Sequence, residues 1–163
     1  MIPAPIPPDD AERVRALREL LLLDTPPEER FDRVVQFAAE QFECPIAAVS
    51  LVDADRQWFK ARVGLDASET ARDISFCGHA ITRQETMVVE DALRDPRFAD
   101  NPLVLGEPRI RFYAGTPLTA PGGQLVGTLC LIDRRPRSPD TVDIAVLRAL
   151  AKLVQEELTG DGG

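Results

Sequence analysis

Apolar and polar positions change period along this chain, and each change marks an element. Residues 1 to 8 hold four prolines and little to bury, so they read as a flexible extended arm. From Asp9 the period is helical, with Val14, Leu17 and Leu21 at i, i+3 and i+7. Helical character ends near Leu23. Thr25-Pro26-Pro27-Glu28 then reads as a capping box with proline at the first helical position. The helix it predicts carries an apolar stripe of Phe31, Val34, Val35, Ala38 and Phe42 and ends before Pro45.

Beyond Pro45 the pattern is that of strands. Ile46 to Val52 is β-rich and nearly all apolar, as in the middle of a sheet. Asp53-Ala54-Asp55 is a turn. Gln57 to Val63 alternates, with Phe59, Ala61 and Val63 on one face and Trp58, Lys60 and Arg62 on the other. A second hairpin joins Arg111–Thr119 to Gln124–Ile132 through Pro121-Gly122-Gly123. Between the hairpins, Gly64 to Arg109 is irregular. It holds a short helix over Ser75–Arg83, a short strand over Met87–Val89 and a polar loop from Asp91 to Pro108. So long an insertion in a compact domain reads as the wall of a pocket.

Ser138-Pro139 opens the last helix, which carries two apolar stripes. Leu147, Leu150, Ala151, Val154 and Leu158 suit packing on the sheet. Val142, Val146, Ala149 and Leu153 then need a second partner, and Val142, Val146 and Leu153 are the expected dimer contacts. Gly160 to Gly163 reads as a frayed tail. With no internal repeat, residues 9–159 form one α+β domain, with helices gathered on one face of an antiparallel sheet.

Composition narrows the function. The chain has 163 residues, enough for a real core, and a formal net charge of -8. That sign opposes nucleic acid and anionic membranes as partners. No apolar run approaches the ~20 residues of a membrane span, and the first residues lack the basic and apolar regions of a signal peptide. Cys44, Cys77 and Cys130 form no Cys-x-x-Cys pair, which suits a reducing, cytoplasmic setting. With His79 the sole histidine, no structural zinc site is expected.

Several separated blocks, in order, resemble a subfamily of GAF domains. They are Arg56-Gln57-Trp58-Phe59-Lys60, Asp73-Ile74-Ser75-Phe76-Cys77-Gly78-His79-Ala80-Ile81, Asp95-Pro96-Arg97-Phe98-Ala99-Asp100-Asn101-Pro102, Arg111-Phe112-Tyr113-Ala114-Gly115 and Gly127-Thr128-Leu129-Cys130-Leu131-Ile132-Asp133. The resemblance spans about Ala11 to Leu158. It implies five or six antiparallel strands, terminal helices on one face, and a ligand pocket of loops and short helices on the other. Such bacterial domains commonly sit ahead of histidine kinases, diguanylate cyclases or phosphodiesterases, and commonly dimerise through their terminal helices. The resemblance therefore implies a non-catalytic sensor, acting on an output domain or a partner protein.

Three variants of the family chemistry meet these residues differently. Bilin-binding relatives carry cysteine directly before histidine, whereas Gly78 here separates Cys77 from His79. Free methionine-R-sulfoxide reductases are similar at Phe76-Cys77-Gly78, but they supply a further cysteine in the downstream loop. Here that loop reads Pro96-Arg97-Phe98-Ala99-Asp100-Asn101. Cys44 lies at a helix end and Cys130 in a core strand, so neither stands out as a resolving thiol. The cyclic-nucleotide signature is not assembled, and one histidine is a weak haem signal. No cofactor is expected.

The candidate ligand residues are Trp58, Phe76, Cys77, His79, Asp91, Phe98, Arg111 and Tyr113. Cys77, near a helix start, is either a reactive thiolate or a small buried hydrophobe. His79 either meets a ligand or bonds a backbone carbonyl. Trp58 floors a pocket or simply covers its sheet face. Arg111 clamps an anion, or pairs with Asp91 or Asp95. Phe98 is a lid over the pocket or a plug in the core.

Overall fold

The computed structural model describes residues 1–160. Its elements run α1 (Asp10–Glu19), α2 (Glu29–Gln41), β1 (Ile46–Val52), β2 (Arg56–Val63), β3 (Glu69–Ala71), α3 (Phe76–Ala80), β4 (Met87–Val89), α4 (Pro102–Leu105), β5 (Phe112–Thr119), β6 (Leu125–Asp133) and α5 (Ile144–Thr159). Six strands pair antiparallel in the order β3-β2-β1-β6-β5-β4. The α+β class and the antiparallel sheet are those expected from the sequence. So are the limits of β1 and β4.

Two cores lie on opposite faces of the sheet. Leu17 of α1, Phe31, Val35 and Ala38 of α2, and Leu147, Leu150, Ala151, Val154 and Leu158 of α5 pack on one face. Alternation in the strands supplies the sheet side: Ala47, Val49 and Leu51 from β1 and Phe112, Ala114 and Leu118 from β5. The intervening residues Ile46, Ala48, Tyr113, Cys130 and Ile132 point the other way. There they meet Phe76, Cys77, Phe98 and Val104 from the segment between the hairpins.

Several local expectations change. A bulge in β2 pairs Val49 with Ala61 but Ser50 with Phe59, leaving Lys60 as the extra residue. The alternation therefore breaks at that point. Trp58 and Ala61 both face the helices, and Phe59 faces the opposite core. Trp58 thus floors no pocket.

The capping box does not form, because α2 begins at Glu29 with no side-chain cap. Thr25 Oγ1 instead donates to Leu22 O at 2.5 Å and accepts from Lys60 Nζ at 2.7 Å. Glu28 turns to the same ammonium at 2.6 Å. Leu21 takes a positive φ of 58° and lies exposed, and Leu22 fills the core place expected of it.

Ser138-Pro139 caps only a single 3₁₀ turn, and Asp143 caps α5 through Ala145 N and Val146 N. Val142 consequently falls in the turn ahead of α5 and is buried in the helix-side core. It is not a surface contact. Val146 is half-buried and Leu153 exposed. Gly160 closes α5 in the left-handed region at φ 78°. The rest of the expected frayed tail, residues 161–163, lies outside the described residues.

The amino-terminal segment is extended but docked. Ile2 N donates to Arg97 O and Ala4 N to Asp73 O, each at 3.0 Å, and the Met1 ammonium pairs with Asp100. Ala4 is buried against Gly78, which has no Cβ to obstruct it. Backbone hydrogen bonds and one small buried side chain do for this segment what an apolar stripe does for a helix. No helix among the described residues is long and apolar enough to cross a membrane.

Candidate functional site

A cavity of about 300 Å³ opens on the sheet face away from the long helices. That is the lower end of the range for small-molecule sites. Phe59, Phe76, Ile110, Tyr113 and Ile132 give it mostly apolar walls, and Leu65, Leu103 and Pro108 close its sides. Asp66, Glu107 and Arg134, all exposed, form the rim. The polar groups inside are Gln57, Thr70, Cys77, Cys130 and the Tyr113 hydroxyl.

The floor is built from neighbouring strands and one helical turn. Ser75 Oγ accepts from Gly78 N at 3.0 Å and donates to Arg72 O at 2.6 Å, which starts α3 and places Phe76 and Cys77. Tyr113 lies along β5 over Gly115, where a Cβ would overlap its hydroxyl. Its Oη thereby reaches Cys77 Sγ at 3.2 Å. Thr128 Oγ1 donates to the same sulfur at 3.0 Å. Ser50 Oγ donates to Gln57 Oε1, and Gln57 Nε2 to Thr70 Oγ1, each at 3.0 Å.

Electrostatics single out Cys77. Burial pushes its thiol up. The Cys130 thiol and the hydroxyls of Ser50, Thr128 and Tyr113 outweigh that and bring it down to about 7. Cys130 is pushed well up by its hydrogen bond to Cys77 and by burial, and Tyr113 is pushed up by burial and by the charge on Cys77. Cys77 is thus the most acidic of the three groups. Cys44, buried on the helix face, is raised by burial to about 11.

Phe76, Cys77 and Tyr113 come together in this site, and the remaining candidates do not. His79 turns away on α3. Its Nε2 lies 3.0 Å from Ile2 O, its ring meets the edge of Phe98 at 4.8 Å, and burial lowers its basicity. Phe98 is fully buried and stacks on Phe76 with centroids 3.9 Å apart, so it supports the cavity wall from behind and is no lid. Asp91 accepts from Leu93 N at 3.1 Å and lines a separate surface groove. Arg111 lies outside the cavity lining and pairs with neither Asp91 nor Asp95. Its Nη1 donates to Val104 O at 2.9 Å and Ile110 O at 3.0 Å, bracing the 102–110 segment. Asp95 takes Arg97 instead, at 2.8 Å.

Gln57, Phe59, Cys130 and Ile132 are among the lining residues that sequence reasoning missed. A usable signal existed, since Ser50, Thr128 and Cys130 interrupt otherwise apolar central strands. A buried hydroxyl needs a partner, so such interruptions mark a polar cluster on that face.

The model of the GAF domain family matches residues 26–158. The chain belongs to the GAF domain family. Among known proteins, this GAF domain is 45% identical over 159 residues to a cyclic di-GMP phosphodiesterase of Pseudomonas aeruginosa. That match takes in 97% of this chain and 27% of the phosphodiesterase, so the chain spans about a quarter of the relative's length. The fold is similar to that of the free methionine-R-sulfoxide reductase of Neisseria meningitidis, with a TM-score of 0.65 at 20% identity, covering 94% of this chain and 93% of that one. The GAF domain of a phosphoenolpyruvate-protein phosphotransferase from Coxiella burnetii gives a TM-score of 0.62 at 18% identity, covering 90% and 93%. At these identities the two structures establish the shared fold.

Proposed function

We propose that this GAF domain is a non-catalytic sensor that holds a small, largely apolar molecule and passes a conformational bias through its terminal helices. The cavity over Cys77 and Tyr113 carries this reading. It combines apolar walls with a few convergent hydrogen-bonding groups, the usual make-up of a small-ligand site. The ligand chemistry that fits is an apolar body with one group that hydrogen-bonds near Gln57 and Thr70. The module works in a reducing, cytoplasmic setting, which suits three unpaired cysteines.

Signalling follows from which elements touch. The face of the sheet opposite the cavity carries α1, α2 and α5, so a shift in the sheet reaches the helices directly. Exposed Leu153 and half-buried Val146 on α5 supply an apolar strip for a second copy, and a fused or partner output domain reads the change. The phosphodiesterase name of the Pseudomonas aeruginosa relative supports a cyclic-dinucleotide output.

Native mass spectrometry tests this reading, together with thermal-shift titration of a metabolite panel. Expected are a dimer, a releasable small mass or a stabilising metabolite, and loss of that response in Leu65→Trp, which fills the cavity. Leu153→Glu is expected to yield monomer. Consumption of free methionine sulfoxide by the purified protein would instead make it an enzyme. No response to any metabolite, with a dimer that survives dilution, would make it a structural dimerisation module.

A further inference from the structure

The proposed ligand reading leaves the two thiols at the cavity floor without a role. Cys77 and Cys130 sit on different elements, α3 and β6, yet both are buried at the same floor and both line the same opening. Cys130 pairs in register with Gly115, the residue over which the Tyr113 hydroxyl lies, and Thr128 stands two residues before Cys130 on β6. The Cys77 sulfur also receives Thr128 Oγ1 at 3.0 Å and stands 3.2 Å from Tyr113 Oη. Hydroxyl donors of this kind favour sulfur as an anion. Cys44 has no such surroundings and lies on the opposite face of the sheet.

We propose that Cys77 and Cys130 form a peroxide-oxidisable dithiol at the cavity floor, closing to a disulfide that ties α3 to β6. Cys77 is the attacking sulfur. Its thiolate takes the terminal oxygen of a hydroperoxide small enough to enter the cavity. An S–O bond forms, the O–O bond breaks, and the departing hydroxide or alkoxide takes a proton. Cys77 becomes the sulfenic acid, a two-electron oxidation, and the peroxide is reduced to water or alcohol. Cys130 then attacks the Cys77 sulfur. The S–S bond forms, the S–O bond breaks, and the leaving hydroxide takes the Cys130 proton to give water. A thiol reductant reverses the change.

The consequence reaches beyond the two sulfurs. Disulfide formation removes Cys77 from Thr128 and Tyr113 and links the residue after Phe76 covalently to the central sheet. Phe76 carries the stack on Phe98, and the next residue, Gly78, carries the docked amino-terminal segment. Oxidation would therefore be read at α3 and at the arm. The dithiol needs the cavity only as a route for peroxide, so it stands whether or not a metabolite is held there.

The test is intact mass spectrometry and peptide mapping of the 163-residue chain after hydrogen peroxide. The unmodified protein is expected to lose about 2 Da and to yield a Cys77–Cys130 cross-linked peptide, restored by a thiol reductant. Cys130→Ser and Cys130→Ala are expected to stop at a Cys77 sulfenic acid, trapped by dimedone. In Cys77→Ser, oxidation of Cys130 is expected to slow at least about tenfold. A cross-link to Cys44, equal oxidation of Cys130 without Cys77, or no 2-Da loss in the unmodified protein would each overturn the proposal. The first and last of these are read on the unmodified chain and need no variant to fold.

Discussion

Lys60 carries a charge into the interface between helix and sheet, at the residue the β2 bulge leaves over. Its side chain is fully buried, and its ammonium is satisfied by Thr25 Oγ1, Pro26 O at 2.8 Å and Glu28, below the ring of Phe31. This one side chain explains why Thr25 and Glu28 are diverted from the expected cap. Lys60→Ala leaves those acceptors facing a void, and a loss of about 2–3 kcal/mol is expected in urea unfolding. Gly115 is the second informative position. Gly115→Ala places a methyl where the Tyr113 ring lies, so Tyr113 must swing off the Cys77 sulfur. The expected outcome is a loss of about 1–3 kcal/mol. The pH midpoint of Cys77 alkylation should also rise above about 7, because a donor that favours the thiolate is gone. An unchanged midpoint would mean that Tyr113 contributes nothing to that sulfur.

At the scale of elements, α3 is the joint between cavity and arm. Its first turn presents Phe76 and Cys77 to the cavity, and its other side presents Gly78 and His79 to the arm. A Cβ at Gly78 would stand 2.6 Å from both Ala4 Cβ and Ser75 Oγ. Gly78→Val is therefore expected to expel the arm and weaken the α3 cap together. Amide exchange at Ile2 and Ala4 should rise to that of an open chain, with stability falling by about 1–3 kcal/mol. Arm amides that stay protected in this variant would show that close packing on α3 does not hold the arm. The same element explains a gap in the sequence reading. Four prolines do signal an extended segment, but nothing in them names the carbonyls of Arg97 and Asp73 that receive it.

At the scale of the whole molecule, one carboxylate ties α1 to two distant parts of the chain. Asp10 accepts from Arg72 at 2.7 Å and from Arg13 at 2.9 Å, and both arginines are almost wholly buried. Arg13 reaches on to Val52 O at 2.7 Å, and Arg72 to Asp53 O at 3.3 Å. The Arg72 hydrogen bond leads in holding Asp10 down to about 2, against a smaller opposing effect of burial. A carboxylate depressed in the folded state stabilises the fold above its unfolded value near 4. That contribution is lost as pH falls through about 4 to 2. Screening by solvent leaves it at about 1–2 kcal/mol. Urea titrations are expected to show Asp10→Asn less stable than the unmodified chain at pH 6, with the difference shrinking below pH 4. A difference independent of pH would assign the effect to packing alone.

Local order sufficed for whatever a regular backbone repeats. The helical period placed Phe31, Val35 and Ala38, and the five sheet-facing residues of α5, because a regular helix returns to the same face every three or four residues. Hairpin turns and apolar strands placed β1, β5 and β6 to within a residue, and the separated motifs placed the family. The period failed where the backbone stopped repeating. One extra residue at Lys60 turned Trp58 and Ala61 to the same face, and a displaced cap drew Val142 into the core. Side-chain meetings across the chain were beyond any local pattern. Arg111 looked free to bind an anion, and only folding brought Val104 O and Ile110 O to it. Cys77 and Cys130 stand 53 positions apart in sequence (130 − 77), with nothing in their spacing to join them. Antiparallel pairing of β5 with β6, and α3 lying over both, put the two sulfurs on one floor. Periodicity is a property of neighbours, whereas a site is made by residues that only the sheet brings together.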